Sequence, residues 1–336
     1  MIGIVFVVAL LFLFALELVG TDFIQHASTL GAPALIMVSF AQTVAVFLDT
    51  GIPWPPFLRQ LMLSFSFLNF NIELARPECS GEFGALQKVR VALHMPIFVG
   101  SVIFAYGSIA LIRIQCQAEA TAEQRRSARH VLMRKLASFA ATFFTVGAIF
   151  FARSFLRAFD CVSSEVDTTK QFMRSSPEIE CADSDPEYPD VRRLSEFGLV
   201  GFGSILMAMV LSMIKAHHSD GPGLGMFAFL SDKFEDHFYF WEFVIIVRKV
   251  LMMAVFLLFN RLVAVLLATF ITIFSLSIHI AARPFEDTGT DWTELLSLAA
   301  QLITLTSGPV FIVLVRPADL PEAVRVLKLL TYVRMA

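Results

Sequence analysis

The apolar residues of this chain fall in unbroken blocks about as long as a bilayer is thick, and that limits the fold more than any motif does. A helix needs roughly 20 mostly apolar residues to cross ~30 Å of hydrocarbon. Eight blocks reach or approach that length, at residues 2–19, 34–48, 93–112, 136–151, 197–214, 238–259, 262–281 and 295–315. Backbone polar groups find no water in lipid, so such blocks are expected as helices, and the alternation of a membrane β-barrel does not dominate. Charged residues make up 16% of the 336 positions, against about 25% in a soluble domain. With 26 Lys and Arg against 29 Asp and Glu, the net charge of −3 excludes a strongly basic nucleic-acid binder. The reading is an all-α polytopic membrane bundle of about eight transmembrane helices, one module over 1–315, with 316–336 a surface tail or a truncated further span.

Loop charge orients the bundle. Residues 113–135 hold six bases, Arg125, Arg126 and Arg129 among them, against Glu119 and Glu123, a net of +4. The excess of bases puts that loop in the cytosol, where it is expected to contact anionic lipid. Residues 158–194 hold nine acids against four bases, a net of −5, and belong on the opposite, extracellular or luminal side. Cys161 and Cys181 lie in this second loop and suggest a disulfide. A metal pair there is the weaker reading, because the loop has no His and no third Cys. Cys116 is expected as a free thiol, and Cys79 has no evident partner. The opening Met-Ile-Gly-Ile lacks the basic start of a secretory signal. The membrane could be the plasma membrane or an internal one.

The stretch Ile52-Pro53-Trp54-Pro55-Pro56 forbids a continuous helix, since proline removes donors and restrains the residue before it. Residues 57–72 follow with helical apolar spacing but are short for a span. They read as an interfacial or re-entrant helix on the outer face, with Trp54 at headgroup depth.

The candidate site is in the sixth block. Arg248 and Lys249 stand about ten residues from either end, and a base at the centre of a spanning helix costs about 2.5–3.5 kcal/mol on insertion scales. Glu242 shares a face with Lys249 but lies roughly 10 Å away along the axis. Partners must come from another helix, and Glu294 is one candidate. Either these residues form an ion, headgroup or gating site, or the helix tilts and the bases reach headgroups. Ser307-Gly308-Pro309 is a candidate hinge, because Gly308 is flexible and Pro309 lacks a donor. Gly198, Gly201, Gly203 and Ser204 offer a small-residue face for close helix packing. His279 and Arg283 read as an interfacial i, i+4 pair. Arginines do not repeat through any span, so voltage sensing is not expected. Gly221-Pro222-Gly223-Leu224-Gly225 follows no strand, His217-His218 lacks a ligand set, and no catalytic constellation is present. An enzyme, a cofactor and a metal are therefore not expected.

Several segments together resemble the TRP-like (transient receptor potential C-terminal) membrane module of large receptor-like proteins of algae and oomycetes. They are Ile52-Pro53-Trp54-Pro55-Pro56; Phe65-Ser66-Phe67-Leu68-Asn69-Phe70-Asn71 with Pro77-Glu78-Cys79-Ser80; Phe159-Asp160-Cys161 with Ile179-Glu180-Cys181; Phe240-Trp241-Glu242 with Arg248-Lys249; and Arg283-Pro284-Phe285. The resemblance spans most of the chain in order and implies a channel-like helical bundle that conducts cations and leaves room for a homo-oligomer. The alternative is a non-conducting receptor-type anchor or transducer for an extracellular region. Small-molecule transport ranks last, since no inverted repeat is evident.

Overall fold

The computed structural model describes residues 21–50, 52–69, 84–116, 121–163, 169–218, 231 and 233–315. The first apolar block, Cys79, the glycine-rich run at 221–225 and the tail at 316–336 lie outside the described residues.

Eight helices are described: α1 (Thr21–Val46), α2 (Pro56–Phe65), α3 (Ala85–Cys116), α4 (Ala122–Leu156), α5 (Tyr188–His218), α6 (Trp241–Leu258), α7 (Arg261–Ala282) and α8 (Thr288–Val315). Among the described residues four helical stretches are long and apolar enough to cross a membrane, Ala85–Cys116, Ala122–Phe159, Tyr188–Lys215 and Arg261–Ala282. The block at 34–48 falls in α1, that at 238–259 in α6 and that at 295–315 in α8. The bundle is thus mainly helical, as expected from hydrocarbon-length blocks.

Helices α3, α4 and α5 form one group, α1, α7 and α8 another, and α6 lies between them, packing on α4, α7 and α1. Aromatic rings fill the first group: Phe151 stacks on Phe155, meets Phe143 and Phe150 edge-on and lies tilted against Phe202. In the second, Phe47, Met252, Met253, Phe256, Val265 and Leu305 form a fully buried cluster. Of the 18 residues of α6, 12 are buried, which makes it the axis of the molecule. The outer helices differ. Only 11% of the apolar window of α3 and 17% of that of α5 is covered by protein, and Phe104 and Phe270 are 77% and 67% exposed. Apolar surface on that scale is what lipid covers.

Three local differences from the sequence reading have physical causes. The basic segment 113–135 is mostly helix, not loop. Thr121 opens α4 with a capping box, its hydroxyl accepting from Gln124 N while Gln124 Oε1 accepts from Thr121 N, so the helix starts before the bases. The outer segment carries a three-stranded antiparallel sheet, β1 (Cys161–Ser163), β2 (Gln171–Met173) and β3 (Ser176–Glu180). Cys161 pairs with Met173 across the first ladder, and the Cys161–Cys181 disulfide joins the start of β1 to the end of β3. This excludes the metal reading for that pair. Trp54 is 6% exposed and donates from Nε1 to Phe47 O at 3.1 Å. The prolines fold it inward against the bundle rather than toward headgroups. Cys116 is a free, exposed thiol.

Candidate functional site

The charged residues of α6 are enclosed. Glu242, Arg248 and Lys249 are each at most 9% exposed, with Glu294 of α8 at 1%. Arg248 Nη2 meets Glu294 Oε1 at 2.7 Å. Glu294 stands on the buried stripe of α8, with Ser297, Leu298, Gln301, Leu305 and Gly308, spaced at the helical period so that one face meets the core. Ser297 Oγ also lies within 3.4 Å of Glu294 Oε2.

Glu242 pairs with Lys233 Nζ at 2.5 Å. Lys233 is held there by a short pairing of two inter-helix segments, in which Phe234 bridges Phe285, Glu235 N donates to Pro284 O and Glu286 N donates to Lys233 O. Arg283 turns the chain into this pairing in a left-handed conformation, φ 44°. Its backbone N–H donates to His279 O at 2.9 Å, and the His279 ring faces Asp291 of α8, with 3.7 Å from Nε2 to the carboxylate.

Lys249 Nζ donates to Gln42 Oε1 at 3.2 Å. Gln42 is fixed in turn: its Nε2 donates to Leu68 O and to Val146 O, at 3.0 and 2.9 Å, and Asn69 Nδ2 donates to Gln42 O. With both amide hydrogens used, the carboxamide oxygen is aimed at the ammonium. Four segments meet here: α1, the end of the segment following α2, α4 and α6. Among the described residues the cluster joins Lys233 to Glu242 and Arg248 to Glu294 as ion pairs, and Lys249 is held by its hydrogen bond to Gln42.

Of the expected site residues, the structure brings Arg248 to Glu294 and places Lys249 beside them, while Glu242 belongs to a separate pair with Lys233 in the first turn of α6. The bases do not reach outward along a tilted helix, because α4, α1 and α8 close over them. Lys233 and Gln42 were not singled out by sequence. A lone glutamine inside Phe40-Ala41-Gln42-Thr43-Val44 was a usable signal, since buried amides in apolar helices pair across helices; Lys233 carried none. Gly308, expected as a hinge, is closely packed: a Cβ there would meet Ile52 Cδ1 at 2.9 Å and the Trp54 ring at 3.3 Å. The helix runs on through Pro309. Arg125, Arg126 and Arg129 lie in the first turns of α4, with Arg126 and Arg129 exposed. No cluster of three His, Cys, Asp or Glu that could hold a metal occurs among the described residues.

In its chemistry the α6 cluster is a clamp. It satisfies charges that could not otherwise stay away from water, and it ties four segments at one level. In comparisons with known proteins, no family model, no curated protein and no solved structure matches the chain.

Proposed function

We propose that the chain is a non-conducting receptor-type membrane module of about eight spans, related to the TRP-like modules, that couples an outer cap to a basic inner end. One observation carries this reading: α4 is a single helix of 35 residues joining the two, about 52 Å at 1.5 Å per residue. Its first turns carry Arg125, Arg126 and Arg129, and its last turn leads through a short 3-10 turn into Cys161 and the disulfide-closed sheet. Asp160, buried at this junction, pairs with Arg174 of the cap at 3.4 Å. Force on the cap therefore reaches the inner end along one rod. In this reading the inner end lies in the cytosol and the cap outside or in a lumen.

The test uses the full chain in proteoliposomes with the inner end labelled at Arg126→Cys in a Cys79→Ser/Cys116→Ser background. Adding an impermeant reductant on the cap side should change the labelling rate at position 126 at least about twofold, the scale of a shift of several tenths of a kcal/mol. An unchanged rate, with the disulfide shown to be reduced, contradicts coupling through α4.

A second reading, a cation channel, is favoured by one feature. The segment from Pro56 to Asn69 ends at Gln42, level with Lys249 at the middle of α6, as a re-entrant element would. In this reading conduction would run between copies, because α6 is buried among α1, α4 and α7. Currents through bilayers holding the purified protein would favour this reading over the first.

A further inference from the structure

The α3–α4 hairpin carries a groove that the charge cluster does not use. It is a shallow groove open to the surface, about 560 Å³, that runs along one face of α4 past Gln124, Ser127, Leu132 and Lys135, with Tyr106 of α3 as its other wall. Those α4 positions repeat at helical spacing and so form one stripe. The register of the hairpin is set at Gly107, where a Cβ would come within 2.9 Å of Leu136 Cδ1. Tyr106 and Lys135 therefore stand at one level. Gln124 and Ser127 lie nearer the end of the hairpin, Gln124 about 16 Å from Lys135.

Beyond the level of Lys135, toward the end of the hairpin, α3 still turns apolar side chains outward, Ile109 at 53% and Ile112 at 59% exposure, before Arg113 follows. The groove thus spans the change from apolar to basic surface, as at a headgroup layer. Its donors are graded in the same direction. Lys135 is the single charged residue of the lining, enough for one phosphodiester but not for a cluster of phosphates. Gln124 Oε1 is already occupied by Thr121 N at 2.8 Å, which fixes the amide and leaves its N–H groups as donors. Ser127 can donate and accept, which suits a hydroxyl.

We propose that this groove binds the headgroup of an anionic phospholipid whose one phosphodiester is extended by free hydroxyls, of the glycerol or inositol class. The phosphate lies at Lys135 and Tyr106 and the hydroxyls reach Ser127 and Gln124. The proposal rests on the reading that the basic end of the hairpin meets a membrane surface, which the test separates from the groove itself.

The full chain is placed in nanodiscs of phosphatidylcholine alone or doped with phosphatidylinositol, phosphatidylglycerol or phosphatidylserine, and bound lipid is read by native mass spectrometry. Phosphatidylinositol and phosphatidylglycerol should be retained over phosphatidylserine, which has the same net charge but no free hydroxyl. Lys135→Gln with Ser127→Ala should lower that retention about tenfold, the scale of one charge-assisted hydrogen bond. Lys135→Arg should restore it, and Tyr106→Phe alone should weaken it. Neutralising Arg125, Arg126 and Arg129 to Gln should reduce attraction to all anionic lipids alike and leave the preference intact. Loss of the preference in that triple variant would move recognition out of the groove and overturn the proposal. Equal retention of the three anionic lipids, or an unchanged preference in Lys135→Gln/Ser127→Ala, overturns it too. Full displacement by soluble glycerol phosphate or inositol phosphate would assign the groove to a free phosphate ester and overturn the lipid assignment.

Discussion

Arg248 and Glu294 illustrate how much a charge away from water depends on its partner. Removing one member of a buried pair costs about 3–5 kcal/mol, whereas replacing both by apolar residues of similar volume is often neutral or stabilising. Glu294→Ala should therefore lower the midpoint of thermal unfolding in detergent far more than Arg248→Met with Glu294→Met does, and a double-mutant cycle measures the difference. Equal losses would mean that the pair is not enclosed as described. Asp185 gives a second case, outside the bundle. Desolvation raises its pKa, but the backbone N–H groups of Glu187, Glu180 and Tyr188 outweigh this and hold the carboxyl below its ordinary range. A carboxylate lowered in this way stabilises the fold fully above its unfolded value, about 3.9, and that contribution is lost as the pH falls through the folded value. Asp185→Asn should flatten the acid limb of cap unfolding, followed by near-ultraviolet circular dichroism, and lower stability at neutral pH. Arg248, Lys249 and Glu294 were legible in the sequence because charge in an apolar block is rare. Lys233 was not, because its role comes from the pairing of two inter-helix segments far apart in the chain.

Elements were legible to the extent that their cause was local. The apolar blocks marked the cores of α3 to α8, but ends were misjudged wherever polar residues continue a helix. The capping box at Thr121 and Gln124 was written in the sequence, and it moves Arg125 to Lys135 from loop to helix. The sheet of the cap was not legible, since its strands are three to five residues long and its register is held by the Cys161–Cys181 bond. The small-residue face of α5 separates in the structure. A Cβ at Gly198 would come 2.4 Å from the Phe155 ring, whereas Gly201 and Gly203 have nothing within 4 Å. Gly198→Ala should cost about 1–3 kcal/mol by overpacking, read as a lower unfolding midpoint. Gly201→Ala should match the parent or exceed it, because alanine favours the helix. Equal losses at both sites would place the close α4–α5 contact elsewhere.

At the scale of the whole molecule, the account is a helical bundle with α6 as its axis, apolar flanks on α3, α5 and α7, and two polar ends of opposite charge. The basic end is the start of α4, and the acidic end is the disulfide-closed cap. The most direct measurement is the side of the membrane on which each end lies. Cysteines introduced at Arg126 and at Glu178, each in a Cys79→Ser/Cys116→Ser background that keeps the Cys161–Cys181 disulfide, are exposed to an impermeant thiol reagent in sealed, oriented vesicles. The account predicts labelling of the two positions from opposite compartments. Labelling of both from the same compartment would contradict it.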